Sequence, residues 1–505
     1  MKNSFAFPPF RLLALSLFLL SAFTLNAQNE VDALRFSEAD WQGSARFMGA
    51  GRAFGAVGAE FSALNLNPAA IGLYKKNEVS FTPLVISIYK NKSDYNGTVS
   101  PGQTVKYNLN NAGVVFAMSG KNSWKKFQIG FGYNRLKNYN NVFSIEGRSN
   151  GKTIGSEFAR RASTLEHDYN NPNIDWPEGP LGDEAWIAWE SYFIDPDPTN
   201  ATSYLPVLKN VDMKHFATIT QKGGNDEMFL SFGTNYEDKL FLGATLGIPI
   251  ISFTENREFI EINDKESKTY KFQKITIEDK LSVHATGINL KLGAIYQPVD
   301  FMRVGLAFHT PTYYGNVKDN LERTLETQFY NVKPKDSVEF LDKKEVSYDN
   351  SFRYALTTPL RVMLNTVFFI QQRAFISAEY EFTDYSMANM YATDYNFSDE
   401  NKAIQNKYGF SHIVRLGVEF NINQLLAVRA GYNYISSPYK KKINDGSKHY
   451  ASVGLGFRSK YFFSDLAYSL TISKEKYWMY NPDFVDAVNQ KFYAHRVALT
   501  VGVRF

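Results

Sequence analysis

Over residues 492–505, Tyr493, Val497, Leu499, Val501, Val503 and Phe505 fall on one side of a period-two pattern that is interrupted at His495. Arg496, Thr500, Gly502 and Arg504 fall on the other. Such a strand suits a wall with lipid on its apolar face, a polar lumen on the other and an aromatic residue at its end. A soluble sandwich strand alternates in the same way, so this segment alone leaves two classes open. From Val79 to the end the pattern recurs in about fourteen segments of roughly ten residues, this one included, an even number as bacterial single-chain barrels require. They fall near 79–89, 111–119, 125–135, 226–236, 239–250, 282–296, 302–310, 358–370, 373–383, 411–421, 425–435, 448–458, 461–471 and 493–505.

The connections discriminate between the two classes. Short links at 120–124, 237–238, 297–300, 371–372 and 421–424 occupy every second position, and long ones at 90–110, 136–225, 251–281, 311–357, 384–410 and 436–447 lie between them. An outer-membrane barrel alternates short periplasmic turns with long external loops. A soluble all-β domain has no reason to keep that parity. Parity also assigns faces: Leu240, Leu242, Ala244, Leu246 and Ile248 point to lipid, and Phe241, Gly243, Thr245 and Gly247 point inward. The expected fold is all-β, a transmembrane antiparallel barrel of about fourteen strands over residues 77–505.

Composition agrees with an exported membrane protein. Lys2 and Arg11, the apolar stretch 12–25 and the small-residue site Leu25-Asn26-Ala27 read as a secretory signal peptide over residues 1–27. No later run is long and apolar enough for a spanning helix, and mean hydropathy is −0.32, so insertion has to use strands. The absence of cysteine excludes a disulfide scaffold and thiol chemistry. A net charge of +4 gives no case for nucleic acid. Aromatic residues at 15% would supply interfacial girdles.

Residues 44–58 and 63–72 break the pattern, being too rich in glycine and alanine for a lone helix or a lipid-facing strand. Small residues at that density let a backbone pack closely in a confined space, and Asn67-Pro68 suits a turn that redirects the chain. This segment, the Asn67-Pro68-Ala69 motif, the fourteen strands and terminal Phe505 together resemble the outer-membrane transport family of the FadL and TodX type. Gly43-Ser44-Ala45-Arg46-Phe47-Met48-Gly49 and Phe308-His309-Thr310-Pro311-Thr312 resemble its Bacteroidetes members, some of which are labelled haemin receptors.

The resemblance implies a monomeric passive channel, inserted by the barrel assembly machinery into outer-membrane lipid, for hydrophobic small molecules such as long-chain fatty acids or aromatic hydrocarbons. It implies no cofactor. It also implies that residues 28–76 form a hatch inside the lumen, with Phe47, Gly49, Gly51, Phe54, Gly55, Gly58, Asn65, Asn67, Pro68 and Ala69 as hatch or gating residues.

Inward parity places Arg303, Arg361, Arg415, Arg429, Glu379, Glu381 and Glu419 in the lumen. They would bind a carboxylate head group or form a salt-bridge network that joins strands and hatch. His309 faces inward at the external end of its strand, where a haem receptor would want an axial ligand. His284 and His495 fall on outward parity. In the long link 136–225, Asp175-Trp176-Pro177, Trp186, Trp189, Tyr192 and Phe193 suggest a capture surface or a lid, with a short amphipathic helix near Trp186. Ser282 with His284 lacks a third catalytic partner, so no enzyme is expected. A surface or adhesion barrel is the remaining alternative.

Overall fold

In the computed structural model, residues 30–165, 167, 176, 180–264, 272–329, 343–371 and 373–505 are described. The expected signal peptide lies outside them, as do Asp175 and Pro177. Fourteen antiparallel strands close into a barrel. The first seven are β1 (Glu78–Tyr95), β2 (Thr98–Asn108 and Asn111–Ser119), β3 (Trp124–Asn138 and Asn141–Arg148), β4 (Lys214–Tyr236), β5 (Leu240–Ile262), β6 (Phe272–Val299) and β7 (Met302–His309 and Tyr313–Phe329). The rest are β8 (Lys343–Thr357 and Arg361–Ile370), β9 (Ala374–Asp384), β10 (Phe410–Asn421), β11 (Leu426–Ile435), β12 (Lys448–Arg458), β13 (Phe462–Tyr477) and β14 (Val488–Arg504). Closure comes from β1 against β14, where Glu78 faces Arg504 and Asp94 faces Asn489. Each of the fourteen alternating segments falls on a different strand.

The faces follow parity. Leu246, Ile248 and Ile250 of β5 and Ile288, Leu290 and Leu292 of β6 are exposed outward, as a lipid-facing band demands. On β14, Val497, Leu499 and Val503 lie outside and Arg496 and Thr500 are buried inside. Tight turns close the periplasmic end: Glu237 and Asp238 both adopt positive φ, which matches the twist of a two-residue hairpin.

The long links differ from expectation. Much of 251–281 and 311–357 is wall: β5 runs on to Ile262, β6 starts at Phe272 and β7 reaches Phe329. Likewise 136–225 holds the upper part of β3, the start of β4, two helices and a small hairpin of Ile194–Asp197 with Asn200–Pro206. The physical reason is an inversion of polarity. Above the membrane Ser252, Asn256 and Glu258 face water while Phe253 and Phe259 face in, so the apolar-out rule that finds membrane strands fails there. For the same reason His309 does not end its strand, because β7 resumes at Tyr313.

The lengthened strands enclose a second core. Phe158 of helix α3 (Ile154–Ser163), Ala185 and Ile187 of helix α4 (Pro180–Glu190), and Phe193 pack on Phe259, Phe272, Ile275 and Tyr480. Trp186 and Trp189 of α4 remain partly exposed. The amphipathic helix near Trp186 is therefore present, with its aromatic residues turned outward.

One place in the wall is not sealed by a ladder. Asn111–Ser119 of β2 pairs with β3, where Asn111 faces Asn134 and Ser119 faces Lys126. Above that point Thr98–Asn108 pairs with β1 and Asn141–Arg148 pairs with β4, with no ladder between them among the described residues. Pro83, which has no N–H to donate, sits at a register shift of β1 beside this seam.

Candidate functional site

Residues 30–77 run down the lumen. Helix α1 (Glu30–Ser37) lies at the long-loop end, where Lys407 of helix α5 (Ser398–Lys407) pairs with Glu30 at 2.6 Å. The chain then passes helix α2 (Ala45–Gly49) and two 3-10 helices, Phe61–Asn65 and Pro68–Leu73. It leaves at Asn77, which exchanges backbone hydrogen bonds with Phe505 at 3.1 Å. A segment with so little regular structure has backbone groups that need partners, and the lumen supplies them. Ala45 N–H donates to Thr500 Oγ1 at 2.7 Å, and Gly55 N–H donates to Glu379. Tyr450 and Ser377 hydroxyls donate to the carbonyls of Met48 and Ala53 at 2.9 and 2.6 Å. Gln128 donates to the carbonyls of Gly72 and Tyr74, both at 3.1 Å. Inward polar residues thus replace the helix or sheet that the hatch lacks.

The glycines make the approach possible. Gly51 adopts φ +63°, and a Cβ on Gly431 of β11 would meet its nitrogen at 2.0 Å. Gly49 lies against Gly454, Gly58 lies beneath Leu73, and the Pro68 carbonyl covers Gly243. Phe47 and Phe54 are buried, with Phe54 edge-on to Phe375 at 5.6 Å. Asn67 accepts from Ala69 N–H at 3.0 Å and caps the 3-10 helix that Pro68 opens, so the motif starts a helix as well as turning the chain. Its amide also donates to Asn365 of the wall at 3.1 Å. Asn65 Oδ1 lies 3.4 Å from Lys291 Nζ.

The lumen charges gather in two clusters, one around Glu381 and one around Glu419, with Arg303 and His309 apart from both. Glu381 pairs with both Arg361 and Arg415, and receives the Trp41 indole N–H at 3.2 Å. Glu379 lies 3.6 Å from Arg415. Glu419 binds Arg429 and, at 2.8 Å, Arg46 of the hatch. Arg429 continues to Asp465 at 2.7 Å. Arg361 also donates to the Ser37 carbonyl at 2.5 Å, and Arg303 to the Val57 carbonyl at 2.9 Å. His309 Nε2 sits 3.0 Å from the Leu66 carbonyl and its ring stands edge-on to Trp41, which engages the nitrogen a haem iron would need.

Sequence reasoning missed several members. Asp465, Lys291 and its partner Glu227 lie inside on β13, β6 and β4, and the parity that found the others would have found them. The hatch partners had no period to betray them. Glu38 joins Lys137 of β3 to Lys448 of β12 at 2.8 and 3.0 Å, and Asp40 joins Arg52 to Arg496 at 2.7 and 3.2 Å. Burial alone would raise the Glu38 carboxyl, yet the two lysines hold it well below the carboxylate range. Glu60 is the opposite case. Burial pushes it up to about 7, against the pull of the Ser44 hydrogen bond and Arg46.

Between hatch and wall, Trp41, Glu227, Lys291, His309 and Tyr314 line a void of about 40 Å³, with room for water. At the unpaired seam the hatch stands behind the gap: Asp40 N–H donates to the Leu136 carbonyl at 2.9 Å, and Asn110 donates to the Gly43 carbonyl at 3.4 Å.

A closed barrel with an apolar outer band and a lumen filled by its own amino-terminal segment defines an outer-membrane transport protein of the plugged-channel class. The chain belongs to the outer membrane protein transport protein family (OMPP1/FadL/TodX), whose family model matches residues 226–503. The crystal structure of a Pseudomonas aeruginosa FadL homologue is similar over 92% of this chain and 99% of its own, at 14% identity and a TM-score of 0.52. A TodX monoaromatic hydrocarbon channel deltaS2 mutant matches over 92% of this chain and 100% of its own, at 12% identity and a TM-score of 0.52. At such identities the likeness shows the fold. No curated protein matches the chain. The family places the protein among channels for hydrophobic substrates and not among enzymes.

Proposed function

We propose that the protein is a passive, monomeric channel that takes up long-chain fatty acids or aromatic hydrocarbons, with residues 28–76 as a movable hatch. The observation that carries this reading is the coincidence of hatch and seam. Asp40 bonds to Leu136 of β3 and Gly43 to Asn110 at the level where the pairing of β2 with β3 ends, marked by the Arg135 N–H on the Asn110 carbonyl at 2.9 Å. Movement of this part of the hatch opens a sideways route from lumen to membrane. An apolar ligand gains about 25 cal/mol per Å² on leaving water, so a lateral exit into lipid spares it the aqueous periplasm. In this cycle the ligand meets the partly exposed Trp186 and Trp189 first. Arg361, Arg415, Glu379, Glu381, Glu419 and Arg429 hold the hatch, and Phe47 to Ala69 form the moving surface.

The test is uptake of radiolabelled oleate and toluene by a deletion strain with and without the restored gene. Restored uptake of either supports the channel, and the one restored names the substrate class. Equal uptake of both with and without the gene refutes it.

A further inference from the structure

On the outer surface of β13, β14, β1 and β2, the apolar band ends in a cluster of cations. Leu470, His495, Ile88 and Val105 lie abreast across the four strands. One level further from the periplasm the row reads Ile472, Tyr493, Lys90 and Gln103. At the next, Lys474 faces Lys491, and Lys491 faces Lys92. Three lysines directly opposite one another across a sheet repel, which destabilises the pairing. No ion pair neutralises Lys90, Lys92, Lys474 or Lys491 among the described residues. Glu475 alternates to the inside opposite Gln490, and Asp94 lies a level higher, where it accepts from Gly97 N–H at 3.2 Å.

The surface here is concave. A cleft of about 540 Å³ is lined by Lys90, Lys92, Gln103, Tyr493 and His495. His495 Nδ1 lies 2.8 Å from the Tyr468 hydroxyl, and with that hydroxyl donating, the ring carries its proton on Nε2 as a further donor. Tyr380 with His412 and Tyr432 with His449, both at 2.7 Å, repeat the pair on the two preceding hairpins and trace the interface around the barrel.

We propose that this cleft, together with the Lys92, Lys491 and Lys474 row beside it, binds the phosphate groups of a phosphorylated glycolipid of the outer leaflet. Its height selects the occupant. Lys90 and Lys92 follow immediately on the lipid-facing Leu84, Ile86 and Ile88, which places the ammonium groups at headgroup level while acyl chains lie along the band below. A phosphate there relieves the repulsion that the bare protein carries. The inference does not depend on the transport reading.

The experiment uses the full chain purified in detergent, with native mass spectrometry and titration of diphosphorylated lipid A, its dephosphorylated form and inorganic phosphate. The diphosphorylated lipid should bind at least tenfold more tightly than the dephosphorylated one, with inorganic phosphate failing to compete at millimolar concentration. K92Q/K474Q/K491Q should lose at least tenfold in affinity. K280Q, which removes a lysine already paired with Glu322 at 3.5 Å, should lose nothing. In lipid-free detergent the triple variant should unfold at a higher temperature than the parent, which separates lost binding from misfolding. Equal affinity for the two lipids, competition by inorganic phosphate, or unchanged binding by the triple variant overturns the proposal.

Discussion

The two halves of the hatch are held by different physics. From Glu30 to Asp40 ion pairs predominate: Glu30 reaches Lys407 of α5, Glu38 reaches Lys448 and Asp40 reaches Arg496, beside a small apolar contact of Phe36 with Phe253. From Ala45 to Leu73 a fit of shape predominates, in which small residues meet small residues and the bare backbone meets lumen hydroxyls and amides, with the Arg46–Glu419 pair added to it. A charge pair breaks one contact at a time, with water ready to replace the partner. A close-packed surface separates only as a unit. In the proposed cycle the upper half is therefore a latch that releases first beside the seam, and the lower half an anchor that then lifts as a unit.

Gly431→Val attacks the anchor and should have the largest effect. With a Cβ 2.0 Å from Gly51 nitrogen, the lower hatch cannot seat, and vancomycin sensitivity should rise at least tenfold. Ala430→Val, whose side chain faces outward, should leave sensitivity unchanged. Glu381→Leu strikes the junction of the halves. It removes the carboxylate partner of Arg361 and leaves Arg415 with Glu379 alone, at a cost of about 3–5 kcal/mol, visible as a lower midpoint for heat unfolding on gels. Glu38→Gln should loosen the latch alone by about 2 kcal/mol. Hydrogen exchange should then quicken in α1 and not in 61–73, and the vancomycin barrier should hold.

The smallest effect concerns pH at Glu60. A carboxyl whose docked pKa lies above its undocked value takes up a proton on docking, so docking weakens as pH rises from about 5 through 7. Protection at 44–47, taken relative to the base-catalysed exchange of an open amide at each pH, should fall over that range in the parent and stay flat in Glu60→Gln.

The same contrast governs what could be read in the sequence. All fourteen membrane strands were legible because lipid is a uniform partner and imposes a period-two rule on every outward residue. Arg361, Glu381, Arg415 and Glu419 were legible as inward by that rule. Their partners Arg46, Trp41 and Ser37 were not, because a hatch with no period gives no direction for its side chains. The upper wall was illegible for another reason. Beyond the membrane Phe253 and Phe259 turn inward and Glu258 outward, so the rule reverses and 251–281 resembles a loop. The fold thus follows from the solvent outside, and the hatch contacts need the structure.

The central claim is that the hatch must move for transport. A Cβ on Gly49 would lie 3.5 Å from Ala467 Cβ of β13, within disulfide reach, and the chain has no cysteine to interfere. G49C/A467C should therefore lock hatch to wall. Oxidised cells should take up radiolabelled oleate and toluene no faster than the deletion strain, and dithiothreitol should restore uptake. Full uptake through the oxidised, crosslinked protein would contradict the account.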